Sequence, residues 1–174
     1  VVTEQFEQLA QDDLTTAYEI LPQFSSATNR LRMGLLTANQ QIFKTENSRQ
    51  WKVAVEILAL HWQDDTLSWA AIGGPNIIIR DQPGLLHPVS YGMEWHPKEI
   101  SNGPLFAEAA GLDRIAHIRC GTHRLSTRTE IALLSRTTIP FAVLAQPDWQ
   151  LRPLVSQIID EDEAQPFWLG LIRS

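Results

Sequence analysis

Apolar residues recur every three or four positions in the first part of the chain, which is the spacing of one helix face. The first series ends before Pro22, and its members are Phe6, Leu9, Ala10, Leu14, Ala17, Tyr18 and Leu21. A second series follows Ser25 and Ser26, which can cap a helix, and consists of Leu31, Leu35, Ala38 and Ile42. The pattern predicts an antiparallel pair of helices joined by a short turn.

The hydrophobic period then changes to that of β-strands. Residues 53–59 alternate like a strand with one buried face, and a turn at residues 63–65 leads to a partner strand over residues 67–71. Residues 73–76, Gly-Gly-Pro-Asn, predict a tight loop, and the β-branched residues 77–79 predict a third strand. Another turn precedes Leu85 and Leu86. We expect these strands to form an antiparallel meander.

The second half of the chain mixes irregular and periodic segments. Residues 92–103 are irregular, and residues 104–110 favour a helix that stops at Gly111. Residues 115–119 and 130–134 are strand candidates, and a final strand is expected over residues 167–172. An amphipathic helix is predicted from Leu151, Leu154, Val155, Ile158 and Ile159. These elements predict an α+β fold, with residues 1–174 forming a single domain of a longer protein.

Composition narrows the class of protein. The chain has 174 residues, 44% of them hydrophobic, and a net charge of −6, which argues against a general nucleic-acid binder with a basic face. Its apolar runs are too short to span a bilayer. The single cysteine, Cys120, fits a reducing compartment. We therefore expect a cytoplasmic protein with no nucleic-acid or membrane partner.

The histidines and the cysteine give no recognisable metal site. Cys120 and His123 have the spacing of half a zinc site, but no second pair accompanies them, so we expect structural roles for both. The remaining histidines are scattered, and they are His61, His87, His96 and His117.

The acidic and glycine-rich segments are equally unspecific when taken alone. Residues 160–163, Asp-Glu-Asp-Glu, are interpreted as a solvated loop, although a hard cation would accept such oxygen ligands if other carboxylates joined them. Candidates for that are Asp12, Asp13, Asp64, Asp65, Asp81 and Asp113. Gly73 and Gly74 could bind a phosphate through backbone N–H groups, but no helix and no lysine follow, as a P-loop requires. The residues alone predict no reaction.

The order of the elements is similar to that of the PPM (PP2C-like) metal-dependent Ser/Thr protein phosphatases. Residues 38–43, Ala-Asn-Gln-Gln-Ile-Phe, resemble the Ala-Asn-x-x-Ile/Leu-Phe pattern of the second core helix, and residues 51–60 resemble the strand that follows. Residues 69–80 are similar to the W-A-x-V-G-D-S-R-x-Y-L-x-R segment. Residues 135–138 stand where that family has S-D-G, and residues 162–163 where it has D-N/D. The resemblance covers residues 2–172 and implies a layered α-β-β-α sandwich with antiparallel sheets, without its first strands.

The same resemblance implies that most metal ligands have been lost. In that family two divalent ions, held mainly by carboxylates, generate the attacking hydroxide. Gly74 stands at the aspartate of G-D-S-R and Thr137 at the aspartate of S-D-G, so Asp162 alone remains as a metal ligand. One carboxylate does not hold two cations. The resemblance therefore implies a pseudophosphatase with no catalytic residue and no cofactor, acting as a regulatory or protein-interaction domain whose partner is a phosphoprotein or a kinase.

Two alternatives stay open at this stage. The chain could be a divergent metal-dependent phosphatase that uses Mn²⁺ or Mg²⁺ with ligands supplied upstream of Val1. It could also be a structural subunit of a larger assembly, without phosphate recognition.

Overall fold

The computed structural model describes residues 19–50, 52–82, 85–90, 108–135, 139–163 and 166–173. Most of the predicted first helix, the irregular segment 92–103 and most of the predicted helix 104–110 lie outside these residues. The described end of the first predicted helix, residues 19–21, is not helical. The chain divides into two compact units. Unit 1 is Val1–Gly73 with His96–Arg124, and unit 2 is Gly74–Trp95 with Leu125–Ser174. The expectation that residues 1–174 are one domain of a longer protein stays a prediction.

The described helices and strands are, in chain order, α1 (Ser26–Ile42), a π-helical turn (Phe43–Asn47), β1 (Ile57–Gln63), β2 (Thr66–Ile72), β3 (Asn76–Gln82), β4 (Leu85–Ser90), β5 (Arg119–Arg124), β6 (Glu130–Leu134), α2 (Phe141–Ala145), α3 (Leu151–Glu161) and β7 (Leu169–Arg173). This content confirms the predicted α+β class with antiparallel sheets. Among the described residues, no helix is long and apolar enough to cross a membrane.

Unit 1 packs α1 against a three-stranded sheet of order β1-β2-β5. The predicted cap is confirmed, since the backbone N–H of Thr28 donates to Ser25 Oγ over 3.1 Å. The Thr28 hydroxyl then donates to the carbonyl of Gly121 on β5 over 3.1 Å. The core beneath the helix contains Leu31, Leu35, Ala59, Ala70, Ile72 and Ala110. The cap residues thus fix both the start of α1 and its position on the sheet.

Unit 2 is a four-stranded antiparallel sheet of order β4-β3-β6-β7 with α2 and α3. Its buried core consists of Ile78, Ala132, Leu134, Ala142, Val143, Trp149, Leu154 and Ile158. The predicted strand over residues 130–134 and the predicted third amphipathic helix are confirmed by β6 and α3.

The predicted meander is wrong. β2 pairs with β1 and β5, whereas β3 pairs with β4 and β6, so no hydrogen-bonded ladder joins β2 to β3. The Gly73–Pro75 segment instead carries the chain from one sheet into the other. Alternation along a strand fixes which side chains share a face, but it does not fix which strands become neighbours.

Several element boundaries also differ from the prediction. β1 begins at Ile57 and not at residue 53, and Val55 makes only an isolated bridge to Ala110. β5 begins at Arg119, because the preceding residues form a non-regular segment in which Ile115 is 77% exposed. The short helix α2 was not predicted from the sequence. It has five residues, too few to display a helical period.

Candidate functional site

The β2–β3 connection is built around a glycine that no other residue could replace without strain. Gly73 has φ +90°, and a Cβ atom placed on it would lie 2.7 Å from Glu56 Cγ and 3.0 Å from the carbonyl oxygen of Glu108. Gly74 and Pro75 follow, and both are buried. The predicted tight loop is therefore confirmed, and its conformation depends on glycine at position 73.

The guanidinium of Arg119 is bonded to this loop. Arg119 Nη2 donates a hydrogen bond to the carbonyl oxygen of Gly73. Burial lowers the pKa of Arg119, while the negative charges of Glu108 and Glu56 act in the opposite direction. An arginine stays charged in spite of such a shift. The loop at Gly73 and the carboxylates of Glu56 and Glu108 thus lie around a permanent positive charge, that of the half-buried Arg119.

His117 extends this cluster of charges. Its Nδ1 lies 3.3 Å from Glu108 Oε1, with the histidine side chain 71% exposed and the glutamate 44% exposed. We call Glu56, Glu108, His117 and Arg119 the loop cluster. It contains two carboxylates, one imidazole and one guanidinium. In the part of the chain that the structure describes, no group of three or more His, Cys, Asp or Glu side chains is placed to hold a metal ion.

The three positions singled out by the resemblance have different fates. Gly74 lies in the buried loop and offers only backbone atoms. Asp162 is the exposed C-cap of α3, where its backbone N–H donates to the carbonyl of Ile158 over 3.3 Å. Thr137 lies outside the described residues. The described residues at these positions therefore do not form the carboxylate set that a pair of divalent ions requires.

The acidic run is only partly the solvated loop that was expected. Asp160 and Glu161 belong to α3. The Glu161 carboxylate accepts hydrogen bonds from the backbone N–H groups of Phe141, over 2.9 Å, and Ala142, over 2.6 Å. A carboxylate at the N-terminus of a helix satisfies N–H groups that have no partner within it. Glu161 therefore has a structural role that its position in an acidic run does not indicate.

Cys120 and His123 have the spacing of half a zinc site, but they are not placed to bind the same metal ion. Both residues lie on β5, paired with Ala70 and Leu67 of β2 respectively. Residues three apart on a strand point to opposite faces of the sheet, so the two side chains cannot share a ligand. Burial raises the pKa of the Cys120 thiol, and the charge of Arg32 lowers it by a smaller amount. The predicted structural reading is the one that this geometry supports.

A buried arginine in unit 2 was not predicted from the sequence. Arg80 is 5% exposed, and its Nη1 donates to Glu130 Oε2 over 2.9 Å. Its guanidinium carbon lies 4.0 Å from the centroid of the Trp149 ring, and Nη2 donates to the carbonyl of Gln146. Arg173 Nε approaches Glu130 Oε1 at 2.9 Å. The only signal in the sequence is a charged residue directly after three isoleucines.

A cleft of about 620 Å³ opens in unit 1 between α1 and the segment that precedes β5. Its lining residues are Arg32, Leu36, Gln40, Arg114, Ile115, Ala116, His117 and Ile118. We call this space the α1 cleft. Through His117 it adjoins the loop cluster. Neither the hydrophobic pattern nor any motif in the sequence pointed to it, because its far wall is a segment without regular structure.

Comparison with known proteins identifies the fold. No protein-family model and no curated protein matches the sequence. Among solved structures, PppA, described as a key regulatory component of T6SS in Pseudomonas aeruginosa, superposes with a TM-score of 0.66 at 16% identity, covering 99% of this chain and 79% of that one. The S. agalactiae serine/threonine phosphatase gives a TM-score of 0.64 at 17% identity, covering 98% of this chain and 79% of that one.

A third similar structure is the catalytic domain of the serine/threonine protein phosphatase PstP in complex with two manganese ions. It has a TM-score of 0.58 at 11% identity and covers 99% of this chain and 78% of that one. The chain therefore has the PP2C-like phosphatase fold in a divergent form, as the resemblance implied.

Proposed function

We propose that this chain is a pseudophosphatase, a PP2C-like domain that binds a partner protein in the cytoplasm and regulates it without hydrolysing phosphate esters. The observation that carries the proposal is the hydrogen bond from the Arg119 guanidinium to the carbonyl of Gly73. Gly73 directly precedes Gly74 in the sequence, and the resemblance implies that Gly74 stands where the PP2C-like phosphatases have the aspartate of the G-D-S-R loop.

The charge balance around the loop supports this reading. A divalent cation is held in proteins by several oxygen ligands, mostly carboxylates. Gly74 has no side chain that could be a metal ligand. The carboxylates of Glu56 and Glu108 already interact electrostatically with Arg119. The positive charge of Arg119 would repel a divalent cation at this loop, and no carboxylate at position 74 would offset that repulsion. The proposal therefore includes no metal cofactor.

The alternative is a divergent phosphatase that uses Mn²⁺ or Mg²⁺, as PstP binds two manganese ions. Asp162 is the ligand that it would retain. Activity assays with p-nitrophenyl phosphate and excess Mn²⁺ or Mg²⁺ separate the two, with an active phosphatase of the same fold assayed in parallel. We expect the rate with this chain to equal that of buffer containing the metal.

Matched variants make the assay decisive. Asp162→Asn removes the candidate ligand, and Asp160→Asn removes an exposed carboxylate of α3 as a control. Turnover that disappears on chelation and in Asp162→Asn, but persists in Asp160→Asn, would contradict the proposal and establish the enzyme.

A further inference from the structure

The α1 cleft combines an apolar floor with cationic walls. Leu36 is 9% exposed, and Ala116 and Ile118 are partly buried beside it. Arg32 and Gln40 stand one turn before and after Leu36 on the same face of α1, because residues four apart on a helix are neighbours. Arg114 lies on the other wall and is exposed. The cleft can therefore receive an apolar group below and a negative group above.

The volume indicates more than a single small anion. About 620 Å³ is within the range of protein pockets that hold a drug-sized ligand. The chain as a whole carries a net charge of −6, so two arginines at one cleft are a local feature and not a reflection of a basic surface. Guanidinium groups bind phosphate through paired N–H donors. Arginine clusters are a recurring means of recognising phosphorylated segments.

The non-regular wall of the cleft is held in place by a buried side chain of α1. Asn39 is fully buried, and its Nδ2 donates to the carbonyls of Asp113, over 3.1 Å, and Arg114, over 3.3 Å. Its Oδ1 accepts from the backbone N–H of Gly111 over 2.7 Å. Three hydrogen bonds thus fix the backbone that carries Arg114. A fixed backbone lowers the entropic cost of binding a ligand between the two walls.

The charges around the cleft favour one arrangement. His117 Nδ1 lies 3.3 Å from Glu108 Oε1. Arg32 Nη1 donates to the carbonyl of Glu19 over 3.0 Å, and within the described part of the chain this is the one hydrogen bond of its side chain. Asp113 is exposed beside Arg114. The two guanidinium groups are therefore the donors for an anion, and the floor at Leu36 receives a neighbouring side chain.

We infer that the α1 cleft binds a phosphorylated segment of a partner protein, with the phosphate at Arg32 and Arg114 and an adjacent apolar side chain on Leu36, Ala116 and Ile118. This inference rests on the proposed function in one respect, that the phosphate is bound and not removed. It assigns the recognition to a surface of unit 1 that shares no residue with Gly74, Thr137 or Asp162.

Fluorescence anisotropy with the full chain tests the inference. The probe is a labelled heptapeptide with a central phosphothreonine between leucines, compared with the same peptide carrying threonine. Charge-assisted hydrogen bonds contribute about 1.5 to 3 kcal/mol each, which corresponds to a loss of roughly 10- to 150-fold in affinity. We expect losses in this range in Arg114→Gln and Arg32→Gln. Arg49→Gln, the same change at an exposed position outside the cleft, is expected to bind like the wild type.

The inference is overturned by equal binding of both peptides, by no binding, or by unchanged affinity in the two cleft variants. Inorganic phosphate that competes as tightly as the peptide would also overturn it, since the site would then hold a simple anion. Phosphate release from the same peptide is measured in parallel. Release contradicts the proposed function, whereas absent binding without release contradicts the cleft assignment alone.

Discussion

Two arginines, one in each unit, show how differently the same side chain is used. Arg80 in unit 2 is 5% exposed, bonded to Glu130 and Gln146 and stacked on Trp149. Arg119 in unit 1 is half-buried and bonded to the carbonyl of Gly73, with two carboxylates in range of its charge. Arg80 joins β3, β6 and the segment that follows α2. Arg119 joins β5 to the residue that follows β2.

The contrast teaches that residue type alone does not distinguish an arginine of a buried ion pair from an arginine at a loop between two strands. Burying a guanidinium is costly, and only a nearly complete set of partners offsets that cost. Arg80 has hydrogen bonds from Nη1 and Nη2 and a stacked ring, although its buried Nε has no partner among the described residues. Because Arg80 is the more deeply buried of the two, we expect its loss to affect stability most. Arg119 keeps part of its solvation, so its loss is expected to change charge more than stability.

The largest effect is expected from Arg80→Met. This change removes one of the two cationic partners of Glu130, which keeps Arg173, and it removes the cation above Trp149. The loss of a hydrogen bond to a charged group costs about 1.5 to 3 kcal/mol. Urea unfolding of the full chain measures it. The control is Arg124→Gln, which breaks the ion pair with Asp65. The side chains of Arg124 and Asp65 are 86% and 49% exposed, so solvent screens the pair and we expect the unfolding midpoint to stay close to that of the wild type. Equal losses in the two variants would refute the structural role of Arg80.

Gly73→Ala is expected to rank second. Alanine at φ +90° is strained, and its Cβ would lie 3.0 Å from the carbonyl oxygen of Glu108, so we expect a loss of about 1 to 3 kcal/mol. Gly170→Ala on β7 is the matched control, since a Cβ there would find its nearest neighbour, Leu133 Cβ, at 3.7 Å. Calorimetry of both variants should show a lower melting temperature only for the first. A melting temperature unchanged in Gly73→Ala would mean that the loop is not fixed as described.

Arg119→Gln is expected to destabilise unit 1 by about 1 kcal/mol, the loss of one hydrogen bond in a partly solvated setting. Burial already disfavours the charged guanidinium, so its removal recovers part of that cost. Urea unfolding of Arg119→Gln and of Arg80→Met under the same conditions compares the two losses in the free energy of unfolding. A loss as large as that of Arg80→Met would show that the two arginines have the same role.

The smallest effect concerns the reactivity of Cys120. Burial raises the pKa of this thiol, so the folded state favours its protonated form. The stability that this difference contributes is present below the pKa of the thiol in the unfolded chain, and it is lost as the pH rises through the higher pKa of the thiol in the folded chain. We expect the rate of alkylation by iodoacetamide to rise at a higher pH in the native chain than in the same chain in urea.

Arg32→Gln extends this measurement to the α1 cleft. The charge of Arg32 lowers the pKa of Cys120, so its removal is expected to move the alkylation profile to still higher pH. Arg49→Gln serves as the control and should leave the profile in place. A profile that does not respond to Arg32→Gln would place its guanidinium too far from β5 to act on the thiol.

The hydrophobic pattern and the capping serines predicted part of the local structure. They predicted α1 with its Ser25 cap, β6 and α3, since each has a strong period or a clear boundary signal. The pattern failed on strand partners, because β2 and β3 follow each other in sequence and pair in different sheets. The start of β5 was missed for a related reason, since hydrogen bonds from Asn39 hold the preceding residues in a non-regular path.

The candidate site could be predicted only in outline. Gly73 and Asp162 are visible in the sequence, and the resemblance implies that Gly74 stands where that family has an aspartate. The contact of Arg119 with Gly73 joins residues 46 positions apart, and the α1 cleft joins α1 to a segment about 80 residues later. Such pairs depend on the packing of the whole unit, which no local pattern records.

Titration of the full chain with Mn²⁺, followed by electron paramagnetic resonance of the free ion, is the most direct test of the proposed function. With a guanidinium at the loop and no side-chain ligand at Gly74, we predict no saturable binding of the ion, in the wild type or in Asp162→Asn. Saturation at two manganese ions per chain, lost in Asp162→Asn, would contradict the account.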